Sequence, residues 1–416
     1  MKTAPARRRV LISGLGIAGA TLGWWLAEYG FDVTIVERAS GPRGGGYMID
    51  FWGLGYDVAE GMGAVEGLRT WGYAIDELRL VRANGDRLAT VGAQAVRAAL
   101  GERFFSIMRG DLASALYRQA RSRVSIVFND SIRAIRARDD GVDVAFAHAP
   151  DDTFDIVVGA EGAHSPTRLQ VCASPCEQPL GLWTASFSVR GYRPREPGAY
   201  VSFTEVGRQV ARYALRDDRT AFFLIFREKD APAGTPPTPT ALAILLRTEF
   251  GTAWECSAIL AALERAEDPY FDIVSQVRAP RWSRGPVVLV GDAAYCPSLL
   301  AGEGASLAMA GAYILAGELD RCAGDHTAAF ERYEQRLRPL IERKQRGAVR
   351  LGGWFAPRTT AGLLARNVLT RLAGFPSLAP FIVKDMLDPG LEWPTYRSQR
   401  LGETGRSHSN CRRRSF

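Results

Sequence analysis

The chain of 416 residues is poor in the side chains that build metal and disulfide centres, with four histidines and six cysteines. Cys172, Cys176, Cys256, Cys296, Cys322 and Cys411 follow no repeated paired spacing, and only the first two lie close together. That excludes a zinc ribbon and a small disulfide scaffold, and it fits a reduced, cytoplasmic protein with no metal. Net charge is also scarce over the body of the chain. Of the formal +7, residues 1–9 carry +4 and residues 397–416 carry +5, leaving −2 for residues 10–396. A nearly neutral body with basic ends argues against a nucleic-acid partner, which needs its cations on a folded face. Unbroken apolar runs are missing too. The eighteen uncharged residues Val10–Ala27 are interrupted by Gly14, Gly16, Gly19 and Gly23 and are followed by no cleavage site. Neither a membrane span nor a secretory leader is expected there.

That stretch reads instead as one strand, turn, helix and strand. Val10–Ser13 is the first strand, residues 14–19 are the turn "GLGIAG", and Ala20–Tyr29 is the helix, stopped by Gly30. A second buried strand, "FDVTIVER", ends at Glu37 and Arg38. Gly14 permits the tight turn, Gly16 lets backbone approach a pyrophosphate, and Gly19 lets helix and strand pack closely. Ile17 and Ala18 complete the turn that leads into the helix, whose unpaired N–H groups and positive end suit a phosphate. Glu37, twenty-three residues after Gly14, stands where a carboxylate accepts from ribose hydroxyls.

A dinucleotide held by this unit alone leaves residues 286–305, "PVVLVGDAAYCPSLLAGEGA", without a purpose. Asp292 at a strand tip is either a helix cap or a ligand, and Cys296 is either a nucleophile or a packing residue. A longer cofactor with a second polar handle explains both regions. In FAD, Asp292 would hold ribityl hydroxyls, and the helix start at Gly302–Gly304 would face the flavin's pyrimidine edge. That edge becomes negative on reduction, and a helix N-terminus there stabilises it. Cys296 has no histidine or other base nearby in sequence to activate it, which favours packing.

"GLGIAG" with Glu37, "DIVVGAEGAHSPTR" at 155–168, and "GDAAYCPSLLAGEGASLAMAGAYILAGEL" occur in this order. Together they resemble the class A flavoprotein monooxygenases of the para-hydroxybenzoate hydroxylase fold. The similarity is greatest to the branch of tetracycline-inactivating and natural-product tailoring enzymes. The resemblance implies that Arg109 contacts FAD and that Gly44, Gly45 and Gly46 lie beside the ring. It also implies that Glu161 serves where relatives have aspartate. His164, in the same motif, is expected to pack structurally. Leu299 replaces a common flavin-facing proline and Glu303 a common glutamine. If ionised near the pyrimidine edge, Glu303 would repel reduced flavin.

The implied fold is α/β, with a discontinuous Rossmann-like FAD-binding domain formed by residues 1–75, 100–175 and 277–325. An antiparallel β-sheet substrate domain takes 76–99 and 176–276, C-terminal helices take 326–396, and 397–416 is a disordered basic tail. Residues 230–241 are a proline-rich connection, and 327–351 have the spacing of a long bracing helix. The implied activity is NAD(P)H reduction of FAD, addition of O2 at flavin C4a, and hydroxylation of an aromatic or polycyclic small molecule by the hydroperoxide. The alternative is a cyclase that uses bound FAD as a scaffold without redox chemistry. The protein is expected as a monomer or homodimer without a membrane partner. The proton-transfer residue has no sequence signature. Tyr213 and Arg212 are weak catalytic candidates, beside Tyr200 and Arg190, since strand alternation leaves open which of them faces inward.

Overall fold

The computed structural model describes residues 7–42, 44–92, 103–138, 141–227, 239–266, 269–323, 325–373, 391 and 393–396. The tail 397–416, Cys411 and most of the proline-rich run lie outside these residues. A six-stranded sheet runs in the order Ser283–Arg284, Val287–Leu289, Ile156–Gly159, Arg9–Ser13, Asp32–Glu37, Ser125–Phe128. All its pairings are parallel except the one at the Ser283–Arg284 edge. Its central strands are continuous apolar runs, as strands covered on both faces must be. The helix Ile17–Glu28 begins earlier than the expected Ala20, with Gly16 as N-cap. It is buried on nearly every side, packed between this sheet and the helix Gly304–Arg321.

Gly304–Arg321 is keyed into place by two glycines. A Cβ on Gly311 would fall 1.8 Å from Tyr295 Oη, and one on Gly317 would fall 2.3 Å from the Tyr396 ring. Tyr295 is fixed from behind by Tyr333 Oη at 3.2 Å. The long helix His326–Phe355 covers the region expected for it. Asp325 caps it by accepting from Ala328 N–H, and Phe330, Tyr333, Leu337, Leu340 and Ile341 form its buried stripe.

Above these helices lies a seven-stranded sheet, ordered Tyr270–Val277, Glu177–Arg190, Arg219–Arg227, Arg208–Ala214, Ala199–Glu205, Glu77–Val81, Arg87–Gly92. It is antiparallel apart from one parallel pairing, of Ala199–Phe203 with Glu77–Val81. The segment expected to be all sheet also contains the helices Pro239–Phe250 and Cys256–Leu263, which bury apolar side chains against the sheet's outer face. The sheet's inner face looks toward a short ladder, Met48–Phe51 with Phe105–Met108, that joins it to the parallel sheet. Among the described residues no helix is long and apolar enough to cross a membrane, and no cluster could hold a metal ion.

Candidate functional site

The first turn is held by backbone. Gly14 N–H donates to Val36 O at 2.8 Å, and its φ of +102° is one that L side chains rarely adopt. A Cβ on Gly14 would meet Ala160 O at 2.7 Å, and one on Gly19 would meet Gly14 O at 2.0 Å. Gly16 differs: nothing lies within 4 Å of its Cβ position, and no acidic residue or side-chain cap occupies the first turn of the helix. The turn therefore presents bare N–H groups at the end of a cradle that a side chain would fill. Glu37 accepts from Leu15 N–H at 2.8 Å and Ala39 N–H at 3.0 Å. It fastens the turn to the second strand as well as offering further lone pairs at the strand tip. Arg38 follows it, exposed.

Glu161 lies against the same turn but is engaged locally. Ser165 Oγ donates to it at 2.6 Å, and Thr167 Oγ1 donates to its other oxygen. Its carboxylate thus shapes the loop leading to the helix Pro166–Cys172, and Arg168 of that helix donates to Ala293 O at 3.3 Å. His164 is not merely packed. It bridges Glu177 and Asp272, at 3.3 Å each, and hydrogen bonds to Asp272 and then Glu177 push its pKa up to about 10.

Several remote segments converge. Gly291, with φ of +65°, brings the tip of Val287–Leu289 onto the nucleotide helix, where a Cβ would meet that of Ala18 at 2.8 Å. The next residue is Asp292, and the Cβ position of Gly304 lies 3.9 Å from its Oδ1. Gly302 adopts the left-handed region with open space around it, and no side chain caps the first turn of Gly304–Arg321. From the other side, Gly45 and Gly46 take positive φ, Arg109 N–H donates to Tyr47 O at 3.1 Å, and Ser186 Oγ donates to Gly46 O at 3.1 Å. Tyr47, Arg109 and Asp292 lie within electrostatic reach of one another, and each retains accessible surface. Burial pushes the Tyr47 phenol up to about 12, and burial raises the Asp292 carboxyl against the pull of Arg109. Cys296 is buried next to Asp292 and its thiol is pushed well up by that burial, so it is a packing residue.

Glu303 does not stand alone. Both its oxygens reach Lys344 Nζ, at 2.8 and 2.7 Å, from the helix His326–Phe355. Burial raises the Glu303 carboxyl and Lys344 lowers it. In neither protonation state of Glu303 does the pair with Lys344 carry net negative charge. Leu299, Ala301 and Phe355 each pack, half-buried, against the cluster of Leu182, Phe223, Ile225 and Leu300.

The substrate-side candidates separate by face. Tyr213 and Tyr200 point inward, stacked with ring centroids 5.5 Å apart, and Tyr213 Oη accepts from Met48 N–H at 2.8 Å. Arg212 points outward and is corrected as a catalytic candidate. Its guanidinium bonds Glu255 at 2.8 and 3.0 Å and Glu196 at 2.5 Å, locked beneath Trp254. Arg190 is exposed and donates to Asp217 O. Two residues escaped sequence reasoning, Tyr47 and Asp50. Their one signal is position, immediately after the glycine segment in "GGGYMIDF".

Comparison with known proteins agrees with this geometry. Residues 7–346 match the FAD binding domain family. A flavin-dependent monooxygenase from an unidentified prokaryote is 33% identical over 345 residues, covering 82% of this chain and 88% of its own. The crystal structure of the tetracycline destructase Tet(55) superposes with a TM-score of 0.81 at 31% identity, covering 95% of this chain and 100% of that one. Klebsiella pneumoniae HpxO, complexed with FAD and uric acid, shares the fold at 20% identity, with a TM-score of 0.77 and coverage of 92% and 96%. The residues present fit FAD at three points: the Gly16 cradle, the enclosed Arg109 cation and the bare helix start beside Asp292.

Proposed function

We propose, from the premise that the chain belongs to the FAD binding domain family of flavin-dependent monooxygenases, that it is an NAD(P)H- and O2-dependent hydroxylase of an aromatic or polycyclic natural product. The observation that carries this reading is the convergence of Tyr47, Arg109 and Asp292, from three remote segments, within electrostatic reach of one another beside the uncapped start of Gly304–Arg321. Bound FAD supplies the transfer of electrons from NAD(P)H to O2 and of one oxygen atom to the substrate.

Each remaining task falls to residues of the chain. The turn at Gly14–Gly19 takes the pyrophosphate on backbone N–H groups, with Gly16 leaving the room. Asp292 accepts from ribityl hydroxyls, and the uncapped start of Gly304–Arg321 stabilises negative charge on the pyrimidine edge. Tyr47, Phe223, Leu299 and Phe355 supply an apolar wall that keeps water from the reacting atoms. The relatedness to a tetracycline destructase supports a polycyclic substrate. The pairing of Glu303 with Lys344 supports redox cycling over the cyclase alternative, because it leaves no unpaired negative charge at that helix start.

The test mixes the yellow, FAD-loaded protein anaerobically with NADPH and candidate substrates, follows bleaching of the flavin, then admits air. Bleaching stimulated by substrate, followed by a product one oxygen heavier, is expected. Product formed without bleaching would overturn the proposal.

A further inference from the structure

We infer that Asp50 is the acid–base residue of this site and that it takes the hydroxyl proton of a phenolic or enolic substrate. The inference rests on the hydroxylase reading above and supplies the proton-handling group that the reading lacks. Asp50 lies in the strand Met48–Phe51, directly opposite Ser106 in the ladder with Phe105–Met108. Ser106 Oγ donates to Asp50 Oδ1 at 2.6 Å. Among the described residues Oδ2 has no such donor, and no arginine or lysine pairs with this carboxyl.

The residue keeps ample accessible surface although its carboxyl is largely surrounded by protein, so it is open to a ligand rather than closed in the packed interior. The Met48–Met108 end of the ladder is flanked by Tyr47 on one strand and Arg109 on the other, residues assigned to the flavin, and Asp50 lies two positions along from it. Its other neighbours are the inward-facing tyrosines of the sheet. Tyr213 seats the ladder by accepting from Met48 N–H, Tyr200 stacks on Tyr213, and Asp50 acts electrostatically on Tyr200. A carboxyl placed between a flavin site and a substrate roof, with one oxygen uncommitted and no counter-cation, is built to receive a proton donor.

Proton transfer to it balances without a co-reactant. The substrate O–H bond breaks and an O–H bond to Asp50 Oδ2 forms. The bonding pair stays on the substrate oxygen and raises electron density at the ring carbon that accepts oxygen. The proton returns to the product oxygen, so Asp50 ends as it began. Among the described residues the titratable and charged groups around it are Tyr200 and Tyr213 from the sheet, Tyr73 bridged to Ser106 with the Arg216 guanidinium over its ring, and Arg366 of the helix Thr360–Ala373 behind Tyr200. Burial pushes the Tyr200 and Tyr213 phenols up, so neither titrates ahead of Asp50. Burial also raises the Asp50 carboxyl, and the Ser106 bond opposes it.

The test titrates oxidised, FAD-loaded protein with 1-naphthol and 2-naphthol, their methyl ethers, and 1-naphthylmethylamine, reading the flavin absorbance across pH. No NADPH is present, so the result is independent of whether the hydroxylase reading stands. Naphthols should bind about tenfold more tightly than their ethers, the worth of one charge-assisted hydrogen bond. The preference should grow as pH rises through the raised Asp50 pKa and vanish in Asp50→Asn. Ser106→Ala, which removes the opposing donor, should move its onset to higher pH while FAD stays bound. The assignment is overturned if naphthol and ether bind alike, if the preference survives in FAD-replete Asp50→Asn, if the amine is preferred to both, or if no probe perturbs the flavin.

Discussion

Replacing Gly16 and Gly19 by alanine, one at a time, separates cofactor recognition from folding within a single turn. At Gly16 the backbone φ of −79° is open to any residue, and an added Cβ meets no protein atom within 4 Å. Alanine at an N-cap costs up to about 1 kcal/mol relative to glycine, and the stiffer unfolded chain returns about 0.4–1 kcal/mol. The two nearly cancel. At Gly19 the Cβ would lie 2.0 Å from Gly14 O, a backbone atom that cannot swing aside. Opening the turn should cost at least the roughly 1–3 kcal/mol usual for overpacking. Thermal unfolding of the FAD-free protein and titration with FAD, followed by flavin fluorescence, read the two effects separately. Gly16→Ala should unfold like the parent and bind FAD about ten- to a hundredfold more weakly, the worth of one lost charge-assisted hydrogen bond. Gly19→Ala should unfold early. Parental FAD affinity in Gly16→Ala would refute the pyrophosphate assignment, and equal destabilisation by both changes would reduce these glycines to turn-tighteners.

Lys344→Met should leave Glu303 buried without its partner, costing about 3–5 kcal/mol in denaturant unfolding. It should also lower the flavin midpoint potential, measured by dye equilibration, whereas Glu303→Gln should not lower it. Arg212→Met removes the cation shared by Glu196 and Glu255, so stability should fall while the rate of flavin reduction stays at the parental value in stopped flow. His164 has a folded pKa raised to about 10 from an ordinary 6.5, and it therefore stabilises the fold fully below 6.5 and progressively less as pH rises to about 10. The gap in melting temperature between parent and His164→Gln should close over that window; a gap constant with pH would contradict the Glu177–His164–Asp272 bridge.

The parts legible in the sequence are those whose physics is local. The nucleotide unit announces itself because glycine spacing, helix and flanking strands lie within thirty residues of one another, and the helix His326–Phe355 because its stripe repeats at 3.6 residues. The faces of the seven-stranded sheet were not legible. Alternation says that Arg212 and Tyr213 look opposite ways, but which way is inward depends on helices Pro239–Phe250 and Cys256–Leu263 covering one side. Those helices were missed because a short apolar run such as "ALAILL" suits a strand as well. The Glu303–Lys344 pair joins residues 41 apart in sequence, and the parallel pairing of Ala199–Phe203 with Glu77–Val81 spans more than a hundred. Asp50 was invisible for a different reason: one aspartate in a strand has no signature until the fold encloses it.

The glycine notches of Gly304–Arg321 have a mechanical consequence. With Tyr295 seated at Gly311 and Tyr396 at Gly317, the helix behaves as a bolt with two teeth. It can neither slide along its axis nor roll without driving a ring into its backbone. Its first turn therefore keeps a constant aim, whatever the sheet above does to admit different molecules. A wider side chain at either notch would shift the first turn of Gly304–Arg321 without touching it.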